Sequence, residues 1–299
     1  MNNSGNQELL RFQAKDGFTI NGALTTITGA NPEEVFEAPI LIDIHGLLGH
    51  FLARGTTRQL PPEMLKHNVN SLSINTRLAS AGQMTGQGIF DETILDIDAA
   101  VEVCLQEGFK KIFILGYSLG ASMVVHWAAN RKLPEVKGLI LEGTHHSFPE
   151  CRRKRFIEFE SEPSYDEIYE TAKRLLGKDP INCETDEILV AHKASGNTRS
   201  PLHSEIFSYK TWWFMMGPEA DAAVAHRHIA KIQYPCLMMR GAEDPIIESW
   251  ELEALIELLQ GAGNNDVRFL NVPGAGHDCM ANPEVMIPAI VDFLNSYSE

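Results

Sequence analysis

The sequence predicts an α/β fold: a mostly parallel sheet flanked by helices, interrupted by a helical insertion. Three observations carry this. Short apolar runs alternate with stretches of helical spacing from Pro39 to Leu141, the signature of β-α-β units. That rhythm stops between about Pro149 and Lys231, and it resumes at Cys236. No internal repeat or low-complexity tract competes with this reading, and 299 residues with 44% apolar content suffice for one large domain with an insertion.

The elements follow in order. Leu9 to Thr28 reads as two strands around Asp16-Gly17, a hairpin signal. Pro39-Ile-Leu-Ile-Asp-Ile44 is a buried strand ending at His45-Gly46, and Val69 to Asn75 is the next strand. Asp91 to Gly108 places Ile94, Ile97, Val101 and Cys104 or Leu105 on one helical face, with Gly108 as its stop. Lys111 to Leu115 is a strand running into Gly116, followed by a helix from Ala121 to Asn130 and a strand from Gly138 to Leu141. In the insertion, Tyr165 to Leu176, Glu184 to His192 and Ser204 to Met216 read as helices between Gly, Pro and Asn breaks. Cys236 to Arg240 is a strand, Trp250 to Gln260 a helix and Val267 to Val272 a strand. A last helix opens at Asn282-Pro283, with Met286, Ile290, Phe293 and Leu294 turned inward. The expected organisation is a core of residues 1–148 and 232–299, with a helical cap at 149–231.

Charge and cysteines narrow the function. The net charge is −15, which repels phosphate backbones and anionic lipid heads and argues against nucleic-acid or membrane-surface binding. Five widely spaced cysteines, without a C-x-x-C pair, suit neither a disulfide framework nor a zinc site. Met1 to Gln7 is polar, and no apolar run approaches the ~20 residues a membrane span needs. A reduced, cytoplasmic protein is expected, one that acts on a small molecule and has room for homo-oligomerisation.

Gly116-Tyr117-Ser118-Leu119-Gly120 is a G-x-S-x-G pattern between a strand and a helix. The context matters more than the pentapeptide. A serine on such a turn is lifted clear of the sheet, while the glycines allow strand and helix to approach closely. The following helix N-terminus favours negative charge, and the Leu119 N–H faces the place where an oxyanion forms. Ser118 is therefore the candidate nucleophile.

With these landmarks in order, the sequence resembles the α/β-hydrolase superfamily, in particular its serine esterase-like members with a helical cap. The motifs that carry the resemblance are Asp16-Gly17, His45-Gly46-Leu47-Leu48-Gly49, Asn75-Thr76-Arg77, Gly116 to Gly120, Gly241-Ala-Glu-Asp-Pro245 and Gly274-Ala-Gly-His277. They span nearly the whole chain outside the cap. The resemblance implies an eight-stranded, mostly parallel sheet and a triad in the order Ser118, Asp244, His277. His277 is favoured among eleven histidines because it closes a glycine-rich loop after the last strand. Asp244 is the residue before Pro245, the family's position for the acid; Glu142 is the second choice and Glu243 is adjacent. The second oxyanion donor is implied to be the Leu47 N–H, with Leu48 as alternative, and His45 is expected to be structural.

Other features have plainer readings. His145-His146 and His226-Arg-His228 lack metal-ligand spacing, so no metal and no organic cofactor is expected. Arg152-Arg-Lys-Arg155 reads as a solvated helix face, with steering of an anionic substrate as the functional alternative. Trp212, Trp213 and Phe214 are candidates for a pocket ceiling over Ser118 or for cap core. The expected activity is hydrolysis of a carboxylic ester or related acyl bond. Thioesterase, lactonase, amidase and C–C hydrolase share the same triad, and a receptor-like ligand-binding protein with little turnover is the alternative of a different class.

Overall fold

In a computed structural model the described residues are 5–28, 31–84, 86, 88–193 and 204–298. Eight strands form one sheet: β1 (Asn6–Gln13), β2 (Thr19–Thr26), β3 (Ile40–Ile44), β4 (Asn70–Asn75), β5 (Ile112–Tyr117), β6 (Val136–Glu142), β9 (Cys236–Gly241) and β10 (Val267–Val272). Their spatial order is β1-β2-β4-β3-β5-β6-β9-β10. The pairs β1–β2 and β2–β4 are antiparallel and the rest parallel, so the sheet is mostly parallel, as expected.

The strand periodicity divides the core in two. Ile40, Ile42 and Ile44 of β3 and Ile112 and Ile114 of β5 face one side. Leu41, Phe113 and Leu115 face the other. On the first side pack α3 (Thr93–Glu107), α4 (Leu119–Asn130) and α9 (Ser249–Gly261), through Ile97, Val101, Met123, Trp127, Leu252 and Leu255. On the second pack α2 (Thr56–Leu65) and α10 (Pro283–Ser296), through Leu60, Met64, Met286, Ile290 and Phe293. Between β2 and β3 lies the short α1 (Pro32–Glu37), capped by the Asn31 side chain. The central strands β3, β5 and β6 are covered on both faces, and their carboxyl ends point to one rim of the sheet.

The segment between β6 and β9 leaves the sheet at that rim. It contains α5 (Phe148–Glu158), α6 (Tyr165–Leu176), β7 (Ile188–His192), β8 (Ser204–Ser208), α7 (Tyr209–Met216) and α8 (Ala225–His228). The helix expected over Tyr165 to Leu176 is present, begun by a capping box of Ser164 and Glu167. The helix expected over Glu184–His192 is corrected, and of the one expected over Ser204 to Met216 only Tyr209–Met216 is helical. Ile188–His192 and Ser204–Ser208 pair as an antiparallel ribbon, so the insertion is not wholly helical. The alternation was concealed because Glu205 occupies an inward position and pairs with Arg152, while Ile188 and Val190 face outward.

Candidate active site

The turn from β5 into α4 holds Ser118 at φ 55° and ψ −118°, a conformation that costs energy for a residue with a Cβ. Packing enforces it. A Cβ on Gly116 would lie 2.4 Å from the Gly120 carbonyl oxygen, and one on Gly120 would lie 2.3 Å from that of Ile44. Only glycine at both positions lets α4 seat this close to the strands. The Ser118 N–H donates to the carbonyl of Glu142 on the neighbouring β6 at 2.8 Å.

The loop after β10 brings His277 to this serine. Its Nε2 lies 2.8 Å from Ser118 Oγ, and its Nδ1 lies 2.9 Å from Asp244 Oδ2. An ionised carboxylate only accepts hydrogen bonds, so Nδ1 carries the proton and Nε2 is free to accept from the serine hydroxyl. Asp244 sits in the turn after β9, its second oxygen accepting the N–H groups of Ile246 at 2.7 Å and Ile247 at 3.0 Å. Burial opposes its ionisation, but the His277 hydrogen bond and charge, with those two amides, hold its carboxyl below the usual range. Asp244 is thus poised as an anion against an imidazole. Glu243 is exposed, and the Glu142 carboxyl makes other contacts, with Thr56 and the Cys279 amide.

Two backbone donors flank the serine. Leu119 opens α4, so its N–H lacks an intrahelical acceptor. Leu47 follows Gly46, where an added Cβ would lie 3.1 Å from Ser118 Cβ, so this loop passes directly over the nucleophile. Leu48, the alternative donor, sits at φ 61° and gives its N–H to the Ala81 carbonyl at 3.2 Å, which favours Leu47. His45 is structural. Its Nδ1–H donates to the Gly46 carbonyl at 2.9 Å, and its Nε2 accepts the Thr76 N–H at 3.2 Å. Burial lowers its pKa to about 4, so it stays neutral while bracing the loop that carries Leu47.

Residues 79–284 match the hydrolase family described as serine aminopeptidase, S33, and this stretch is more than half of the chain. The chain belongs to this family. Its fold is that of the α/β-hydrolases. An esterase of Pyrococcus furiosus superposes with a TM-score of 0.67 at 15% identity, covering 99% of this chain and 93% of that one. Est1E from Butyrivibrio proteoclasticus gives 0.61 at 18%, covering 97% and 98%. A monoacylglycerol lipase of Paleococcus ferrophilus gives 0.60 at 18%, covering 97% and 99%. No curated protein sequence matches the chain significantly.

The three aromatics proposed as a pocket ceiling pack elsewhere. Trp212 is fully buried with its ring 5.2 Å from Tyr165, and Trp213 stacks on Tyr169 at 5.6 Å; both tyrosines belong to α6. Phe214 is half-buried and packs against the same core. Of the two readings given for these aromatics, the contacts of Trp212 and Trp213 favour packing within the insertion. Trp212→Ala should therefore cost about 3–5 kcal/mol of stability, seen as an earlier denaturant midpoint, while selectivity across ester size stays unchanged. Normal stability with altered selectivity would restore the ceiling.

The basic run also departs from a uniformly solvated face. Arg152 is buried against Glu205, whereas Arg153 and Lys154 are exposed. His145 is buried with its ring 6.3 Å from that of His277 and 5.0 Å from Phe148, and burial lowers its pKa to about 3. His146 stacks on His226 at 4.1 Å. Among the described residues no group of three or more His, Cys, Asp or Glu could hold a metal ion, and no helix is long and apolar enough to cross a membrane.

Sequence reasoning treated Glu142 only as a possible triad acid. Burial raises its pKa to about 8, against the opposing effects of the Cys279 amide and the Thr56 hydroxyl. The folded state therefore binds this proton more tightly than the unfolded chain, whose Glu titrates near 4.5. Its contribution is fully present below the unfolded value and is lost as pH rises toward about 8. Glu142→Gln removes that loss. Its stability relative to wild type should rise between pH 5 and pH 8, by thermal unfolding across that window; a constant difference would contradict a neutral buried carboxyl.

Proposed function

We propose that the protein is a serine hydrolase that cleaves a carboxylic ester through an acyl-enzyme on Ser118. The observation that carries this is the hydrogen-bonded series Ser118 Oγ, His277, Asp244, built on a strained strand-to-helix turn. In the first half-reaction Ser118 Oγ attacks the ester carbonyl while His277 Nε2 takes its proton. Asp244 stabilises the imidazolium so formed. Negative charge on the carbonyl oxygen faces the N–H groups of Leu47 and Leu119. The tetrahedral adduct collapses, its C–O bond breaks, and His277 returns the proton to the departing alcohol. In the second half-reaction a water, deprotonated by His277, attacks the acyl carbon and releases the acid and Ser118.

Structural neighbours titled as esterases and a lipase support the ester reading, and the family description adds a peptide-bond alternative. A panel separates them: nitrophenyl esters graded by acyl length, acyl-CoA thioesters, lactones and aminoacyl nitroanilides. Turnover is expected on esters, with kcat/KM at least about tenfold above that on the nitroanilides, a difference of about 1.4 kcal/mol. Turnover confined to the nitroanilides, or none on any member, would overturn the proposal.

A further inference from the structure

Glu142 is the last residue of β6, and its side chain is wholly buried with no cationic partner among the described residues. Burying a carboxyl in such a place is costly unless its hydrogen-bonding groups are used. Glu142 reaches both sides of the candidate site through its main-chain carbonyl and Oε1, while Oε2 has no hydrogen-bond partner among the described residues. The main-chain carbonyl accepts the Ser118 N–H at 2.8 Å, which ties β6 to the nucleophile turn. The carboxyl Oε1 accepts the Cys279 N–H at 2.8 Å, two residues beyond His277. One residue therefore grips the turn that bears the serine and the loop that bears the histidine.

A threonine extends this grip. Thr56, the first residue of α2, has its hydroxyl 3.0 Å from Glu142 Oε1 and 2.9 Å from Asp278 Oδ1. Asp278 follows His277 directly and also accepts the Met280 N–H at 3.0 Å. The hydroxyl has a single proton, so it can donate to only one of the two carboxyls. Oε1 already accepts the Cys279 N–H, so towards Thr56 it is also an acceptor, and the hydroxyl donates either to it or to Asp278. Asp278 and the Cys279 thiol are the charged and titratable groups on the loop facing Glu142, and the Tyr117 hydroxyl faces it from β5.

We propose that Glu142 is a positioning residue that sets the spacing between Ser118 and His277, its main chain holding the nucleophile turn and its carboxyl holding the loop of the base. It acts through other residues and touches neither the reacting atoms nor the His277–Asp244 hydrogen bond. The inference rests on the serine-hydrolase reading above and adds to it a residue outside the triad. Its expected effect follows from the steepness of catalysis with distance, since a misplacement of about 1 Å can cost about 10²-fold in rate.

Four variants test it. Glu142→Ala removes the acceptor for the Cys279 N–H, Glu142→Leu removes it while filling the space, and Glu142→Asp withdraws it by one methylene. Glu142→Gln keeps a side-chain carbonyl in the place of Oε1, where it can accept from both Cys279 and Thr56. The Ala and Leu variants should lose about 10²-fold in kcat with KM nearly unchanged, and the Asp variant about tenfold. The Gln variant should stay within about fivefold of wild type. If the Ala and Leu variants do not fold, the Asp and Gln pair carries the comparison. The His277 Cε1–H resonance reads the same geometry without turnover: displaced in the Asp variant, at its wild-type position in the Gln variant. A wild-type protein inactive on every ester would sink the hydrolase reading, and this resonance would still decide the role of Glu142. Wild-type kcat and an undisplaced resonance in the Asp variant, or equal losses for Asp and Gln, would overturn the inference.

Discussion

Ser118→Ala is expected to reduce ester turnover by on the order of 10⁶-fold while leaving the fold intact. The reason is chemical: in the proposed mechanism the hydroxyl 2.8 Å from His277 Nε2 forms the acyl bond. Alanine keeps the Cβ, the turn and the Ser118 N–H donation to Glu142, so the elbow persists. The backbone strain at φ 55° also persists, and stability should change little. Steady-state kinetics on the preferred nitrophenyl ester, with circular dichroism and thermal unfolding as controls, decide it. A folded variant with even one-tenth of wild-type kcat would remove Ser118 from the mechanism.

Asp244→Asn is expected to lower kcat by on the order of 10⁴-fold. The amide can still accept from the N–H groups of Ile246 and Ile247, so the turn after β9 should survive. Its NH₂, however, faces His277 Nδ1, where a carboxylate now accepts at 2.9 Å. A donor there forces the imidazole to expose its other tautomer, and Nε2 can no longer take the serine proton. Glu243→Gln, on an exposed side chain, should leave kcat within about twofold of wild type. If Glu142→Gln proved more damaging than Asp244→Asn, the acid would lie on β6 and the spacing role of Glu142 would fall with it.

The sheet and the candidate site were legible in the sequence for the same reason. Ile40 to Ile44 and Ile112 to Leu115 are unbroken apolar runs because helices cover both faces of those strands. Ser118 and His277 stand directly after strands, where short glycine-bearing turns leave a local signature, and Asp244 follows another strand before Pro245. Where contacts come from distant parts of the chain, the signature disappears. Pro61 and Pro62 lie inside α2, so that helix reads as a break although its Leu60 and Met64 fill the core. The β7–β8 ribbon hides behind a buried Glu205 whose partner Arg152 lies 53 residues away. Trp212 reads equally well as pocket or core, and its contact with Tyr165 is not visible in the sequence. Thr56 carries no motif; its place between Glu142 and Asp278 depends on three segments meeting.

The central claim is that Ser118 is the residue that becomes acylated. Labelling the folded protein with a fluorophosphonate, followed by proteolysis and mass spectrometry of the modified peptide, tests it without knowledge of the substrate. The expected result is one label per chain, on Ser118, absent from Ser118→Ala and slowed in Asp244→Asn. A label on another serine, or labelling that survives in Ser118→Ala, would contradict the account.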